Sequence, residues 1–266
     1  MVEVLRPGDV MRLQGAMAHV QSESFFRRFR NLLRARVRFD TFLILQFSDS
    51  GTPLALDSWL ADHSLKTAYP QHYLDGSYRL DPFFQMRKRA SPGALYRLSE
   101  IAPDRFFSGE YYLQYYRRTE IHDEIGLLVD LTDGATGHLS MSRQAGHGSF
   151  KRREIQCLRH YSPLLLELLR QYCEYRREQA RGQAAPPAQR PLDVMIRGHV
   201  TDLSGKTLTR REAQLAALIL QGHSNLSAAL DLGIARETVK VHRRNIYRKL
   251  DISSQAELFA ALKDLF

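Results

Sequence analysis

Six basic side chains fall in one short run near the end of the chain: Arg236, Lys240, Arg243, Arg244, Arg248 and Lys249, within ARETVKVHRRNIYRKL, Ala235 to Leu250. Glu237 is the one acid among them. Val239, His242, Ile246 and Leu250 recur on the same run at helical spacing. One face of such a helix can pack on a small core. The other offers guanidinium and ammonium groups to phosphates and base edges. That chemistry is recognition of a polyanion.

The preceding residues supply the elements that would position this helix. In Leu208-Thr209-Arg210-Arg211-Glu212, Thr209 and Glu212 have the spacing of a capping box. Leu215, Leu218 and Ile219 continue an apolar stripe, and Gly222 suits a left-handed helix end. Ser224 caps a short second helix, Asn225 to Leu230, before the tight turn Leu232-Gly233-Ile234. After the basic helix, Ser253 or Ser254 caps a last helix holding Ala256, Leu258, Phe259 and Leu262. Two helices joined by a short glycine-containing turn, the second one basic, fit a helix-turn-helix.

The stretch from Leu208 to Leu265, with LTRRE, GHSN, TVKVH, IYRKL and DISSQAEL in order, resembles the C-terminal DNA-binding domain of LuxR-type transcription regulators. The resemblance implies a sequence-specific regulator bound to double-stranded promoter DNA, with RNA polymerase as a further partner. It places Lys240, Val241 and Arg244 toward the major groove. Thr209, Arg243, Arg248 and Lys249 would lie nearer phosphates, and Ser224, Asn225, Arg236 and Thr238 complete the DNA-facing set. Two departures stand out. Leu226-Ser227-Ala228 replaces the usual Lys-Glu-Ile, and Ala235 stands where a Ser commonly caps the reading helix. A lost cap typically costs on the order of 1 kcal/mol. One helix-turn-helix buries too little surface for specific affinity, so a homodimer on a pseudo-palindromic site is expected. The final helix, Ser254 to Leu265, and the long helix from Phe150 are the candidate interfaces.

Bulk properties agree with a two-domain cytoplasmic protein. The 266 residues suffice for two cores, with 44% hydrophobic and 25% charged residues. A net charge of +9 favours a polyanionic partner. Cys157 and Cys173 fall in one expected helix, about 24 Å apart along its axis, so they cannot bridge within it. They read as buried apolar fillers in a reducing cytosol. The first residues carry no signal-peptide core, and no apolar run is long enough to span a membrane.

The expected fold class is α+β. An α/β/α sandwich-type sensory domain, residues 1–175, is joined by a linker, 176–200, to an all-α four-helix helix-turn-helix domain, 201–266. The linker reading rests on EQARGQAAPPAQR with Pro186-Pro187. Residues 10–34 read as one or two amphipathic helices, Thr41 to Phe47 as a strand, and Ser48 to Gly51 as a turn. Ser108 to Arg118 is aromatic and helical. Glu124 to Leu131 and His138 to Ser142 form a hairpin, and Phe150 to Tyr175 is a long helix that Pro163 should kink or interrupt. The arginines from Arg27 to Arg38 read as a solvated face.

No acidic pair or phospho-accepting Asp of a receiver domain, and no GxxxxGK[ST] loop, is found in the first domain. Tyr69-Pro70, Tyr73, Tyr78, Asp81-Pro82 and the hairpin DLTDGATGHLSMS resemble acyl-homoserine-lactone-binding domains. The resemblance implies that Asp81 accepts an amide N–H of an effector, with Tyr69 and Tyr73 as aromatic partners. Tyr78, Tyr111 and Tyr115 complete the candidate ligand set. The spacing from Tyr73 to Asp81 is shorter than usual, and the only Trp, Trp59, lies outside the cluster. Binding of another small amphipathic molecule, or a ligand-independent domain serving dimerisation or partner contacts, are the alternatives. An aromatic stripe at i, i+4, such as Tyr111 with Tyr115, is more often core than cage.

No catalytic constellation emerges, and neither cofactor nor metal is expected. His122-Asp123-Glu124 has no second ligand set and reads as a polar loop before Ile125. Ser140 and Ser142 lack a nucleophile-elbow context. The competing class is a sensory enzyme with an appended DNA-binding tail.

Overall fold

The computed structural model describes residues 6–48, 53–62, 70–87, 93–180 and 190–266. The elements in chain order are α1 (Pro7–Met17), α2 (Phe25–Arg34), β1 (Thr41–Phe47), β2 (Leu54–Leu60), α3 (Gln71–Leu74), α4 (Pro82–Met86), β3 (Ala94–Arg97), α5 (Leu98–Ile101), β4 (Ile121–Asp130), β5 (Thr136–Gln144), α6 (Arg152–Gln179), α7 (Leu192–Ser204), α8 (Arg210–Leu220), α9 (Asn225–Leu232), α10 (Arg236–Leu250) and α11 (Gln255–Leu262). They fall into two compact units. One comprises the described parts of 1–70, 86–100 and 120–188, the other those of 71–85, 101–119 and 189–266.

The first unit is built on a five-stranded antiparallel sheet of order β2-β1-β5-β4-β3. β1, TFLILQF, is an interior strand between β2 and β5, and it is almost continuously apolar because both its faces are buried. Its inward set, Phe42 and Ile44, joins Ile125, Leu127, Val129, Leu139 and Met141 on one face of the sheet. Phe25, Phe29 and Leu33 of α2 and Leu158, Leu165, Leu169 and Tyr172 of α6 cover that face.

α6 runs through Pro163 without interruption. Proline removes the N–H that would bond the Arg159 carbonyl. The Ser162 hydroxyl donates to that carbonyl instead, at 2.8 Å. His122, Asp123 and Glu124 belong to β4 and not to a loop. Asp123 is buried because it accepts from the Arg97 guanidinium at 2.8–3.2 Å and from the Phe150 N–H at 2.8 Å. Cys173 is buried as a filler, whereas Cys157 is half-buried.

Two stretches expected in the N-terminal domain, 71–85 and 101–119, pack in the second unit with 189–266. Helix also occupies 176–179 and 192–200 of the expected linker, while Pro186-Pro187 lie outside the described residues. The expected four helices are α8 to α11, and α7, within the expected linker and lead-in, packs beside them with Ile196 and Val200 buried. The turn expected at Ser48 to Gly51 lies largely outside the described residues. No helix among the described residues is long and apolar enough to cross a membrane.

Candidate DNA-reading interface

The capping box closes as its spacing predicts. Glu212 N–H donates to Thr209 Oγ1 at 3.2 Å, and Thr209 N–H donates to Glu212 Oε2 at 2.7 Å. α8 ends at Leu220 with Gln221 as its C-cap, and Gly222 follows with a φ of 93° that favours glycine. Ser224 Oγ accepts from the Leu226 and Ser227 N–H groups at 3.2 Å, starting α9. α9 stops at Gly233, φ 65°, and the Ile234 N–H returns to the Ala229 carbonyl at 3.1 Å. Ala235 starts α10 with no side-chain cap, and Ser254 rather than Ser253 caps α11.

α10 buries Val239 and Ile246 completely against α8 and α9. His242 and Leu250, on the same stripe, are half-buried. Rotating from that stripe brings Arg236, Thr238, Lys240, Val241, Arg244 and Arg248 to solvent. Val241 is an apolar side chain left 49% exposed among cations, a combination suited to a thymine methyl beside phosphates. Lys240 pairs with Glu237 at 2.8 Å, but both are exposed, so the pair opens at little cost.

Two of the expected phosphate contacts have partners inside the domain. Arg243 donates to the Tyr247 hydroxyl at 2.8 Å and to Asn225 Oδ1 at 3.3 Å, which ties α10 to α9. Lys249 Nζ lies 2.7 Å from Glu212 Oε2 and 3.0 Å from the Thr207 carbonyl. Burial raises the Glu212 carboxyl, but the Lys249 ammonium and the Thr209 N–H outweigh it and hold it below the usual range. Thr209 is exposed, and Ser224 and Asn225 are half-buried at the start of α9.

Residues 206–261 match the model of the family "Bacterial regulatory proteins, luxR family". A protein of Aeromonas salmonicida assigned as an HTH-type transcriptional regulator, from the exeN 3′ region, is 33% identical over 179 residues, 67% of this chain and 91% of the relative. The chain belongs to the LuxR family. It is a DNA-binding transcription regulator with a LuxR-type helix-turn-helix. The response regulator protein TmoT of Ectopseudomonas mendocina is 46% identical over 55 residues, which span 21% of this chain and 25% of that protein. The crystal structure of the VqsR LBD domain from Pseudomonas aeruginosa superposes with a TM-score of 0.55 at 24% identity, over 64% of this chain and 99% of that domain. This last likeness concerns the fold alone.

Elsewhere in this LuxR-family chain, the candidate ligand residues Tyr73, Tyr78, Asp81, Tyr111 and Tyr115 come together and are all buried. Tyr69 lies outside the described residues. Residues 112–116 form a π-helical turn, a form frequent at functional sites. Tyr111 and Tyr115 stack at 5.4 Å with an 8° tilt, and Tyr73 packs on Tyr115 and Tyr78 at 6.1 Å. Asp81 accepts from the Tyr73 hydroxyl at 2.6 Å and from the Phe83 N–H at 2.9 Å, capping α4. Burial pushes its carboxyl up to about 6 against the pull of those donors. Burial and the Asp81 charge together push the Tyr73 hydroxyl well up.

Sequence reasoning passed over Asp104. Its carboxylate accepts from the Ser224 N–H and the Ser227 hydroxyl. No local signal marks it, because its partners lie about 120 residues away. Among the described residues, no group of three or more His, Cys, Asp or Glu could hold a metal ion.

Proposed function

We propose that the exposed face of α10 reads base edges in the major groove through Lys240, Val241 and Arg244, as a homodimer on a two-fold-symmetric operator. The observation that carries this reading is the division of α10 into a buried Val239–Ile246 stripe and an exposed basic face. Arg236, Thr238 and Arg248 flank that face and suit phosphates, with Ser224, Asn225 and Thr209 at the starts of the supporting helices. Enrichment of duplexes from a random pool by the full-length protein tests it. The reading expects paired half-sites about one helical turn apart. Unpaired or unrelated recovered sequences would count against it.

The finer reading is that the chain senses a small amphipathic effector, an acyl-homoserine lactone or a similar molecule, through Tyr73, Tyr78, Asp81, Tyr111 and Tyr115. Buried hydroxyls beside a buried carboxylate suit an apolar ligand with a polar head. A carboxylate has about four acceptor positions, so Asp81 can still take a ligand N–H beside its internal donors. A second reading is favoured by those same donors. Asp81 caps α4 and orders Tyr73, which would make the cluster structural and the domain a ligand-independent dimerisation or partner-binding module. Mass spectrometry of small molecules extracted from the purified protein separates the two.

A further inference from the structure

Asp104 occupies donors that a DNA phosphate could use. Its Oδ1 accepts from the Ser224 N–H at 2.9 Å and from Ser227 Oγ at 2.8 Å. Both donors stand at the first turn of α9, where the helix dipole also favours an anion. The neighbouring backbone is seated on the same turn. Arg105 N–H donates to the Gly222 carbonyl at 2.9 Å. A side chain at Gly222 would meet Phe106 Cα at 2.7 Å, so residues 105–106 lie directly on the turn between α8 and α9. Phe106 is buried and packs its ring on Tyr111, Tyr112 and Tyr116 at 5.5–6.0 Å. The segment is therefore continuous with the aromatic cluster of the same unit. A second strap sits nearby, where Arg79 donates to the Leu265 carbonyl at 3.1 Å.

We propose that Asp104 is an autoinhibitory latch: its carboxylate fills the α9 donors that a DNA phosphate needs, and residues 104–107 must lift from the α8–α9 turn before operator binds. The proposal rests on the DNA reading given above. Carboxylate and phosphodiester compete for the same two donors, and a carboxylate left in place would repel the incoming phosphate. Asp104 is exposed, so its contact is individually weak and reversible. The cost to DNA binding is then the fraction of molecules in which the latch is open. Partial desolvation raises the Asp104 carboxyl, but the Ser224 and Ser227 donors together outweigh it and hold it down to about 2. The latch thus stays ionised across the physiological range, and a competing partner has to release it.

The test uses the full chain without added ligand. Duplexes are enriched from a random pool with wild-type protein and with Asp104→Ala, and affinities are then measured by fluorescence anisotropy at one salt concentration. Asp104→Ala should bind about fivefold or more tightly than wild type. Asp104→Asn keeps an acceptor but loses the charge, so it should fall between them, and it carries the test if the alanine variant fails to fold. Amide exchange at Ser224 to Ser227 should also quicken in both variants, a readout that needs no DNA. Equal or weaker DNA affinity in the variants overturns the latch and leaves the DNA reading standing. Enrichment of no duplex by any of the proteins overturns both.

Discussion

Lys249 Nζ sits 2.7 Å from Glu212 Oε2, joining the last turn of α10 to the first turn of α8. Glu212 is almost fully buried and also closes the capping box with Thr209, so one carboxylate holds two helices in register. Lys249→Met should therefore act mainly on stability. Breaking a fully buried pair costs about 3–5 kcal/mol. Lys249 keeps partial exposure, which reduces the expected loss to about 1–3 kcal/mol. A denaturant melt should show that loss in Lys249→Met and partial recovery in the double variant with Glu212→Gln. A purely DNA-facing Lys249 would leave the melt unchanged.

The same pair gives a pH dependence. The folded carboxyl of Glu212 is held below its ordinary value of 4.5. Its contribution is present above that value and is lost as pH falls through the lowered folded value.

His138 gives a second, separate pH effect. It is fully buried on β5 beside Phe47, and burial pushes its imidazole down to about 3. In the unfolded chain it protonates near 6.5, the ordinary value. Folded protein stays neutral there, so stability is present above 6.5 and falls as pH drops from 6.5 toward 3. The slope should be about 1 kcal/mol per pH unit for one proton. Melting the sheet-containing unit across pH 7 to 4 should show this slope in wild type and a shallower one in His138→Phe. Parallel profiles would show that His138 does not titrate between the two states.

Much of the second unit was legible because its signals are local. Thr209 with Glu212, Gly222, Ser224 and Gly233 each act within a few residues, and the structure places helix ends at each. The Ile196–Val200 stripe of α7 was also local, but the adjacent Pro-rich stretch drew it into the expected linker. What the sequence hid depends on distant pairing. Lys249 reads as one more DNA cation until Glu212 is placed beside it, and Asp104 has no meaning until α9 meets it. Pro163 leaves α6 continuous for a local reason: the neighbouring Ser162 hydroxyl donates to the Arg159 carbonyl that lost its donor.

For the effector reading, Asp81 is the residue to change. Asp81→Asn keeps the shape and can still accept, but removes the buried charge that orders the Tyr73 hydroxyl. If Asp81 holds a ligand N–H, the variant should weaken binding by about 1–3 kcal/mol. The wild-type melting temperature should rise with the logarithm of effector concentration above Kd, and the variant should need more effector for the same rise. A screen including acyl-homoserine lactones in which no compound moves the wild-type transition supports the purely structural reading of Asp81.

If α10 reads base edges with its exposed face, as proposed, its basic side chains carry the preference for operator. Arg244→Ala alone should cost about 1–3 kcal/mol of operator affinity and relax specificity at one or two base positions. The most direct measurement is operator affinity of the Lys240→Ala, Arg244→Ala double variant, set against a scrambled duplex at the same salt concentration. Both residues are exposed, so the variant should melt like wild type. The expected result is a folded protein that has lost most of its preference for operator over scrambled DNA. A folded double variant with operator affinity and preference unchanged would show that this face of α10 does not read the bases.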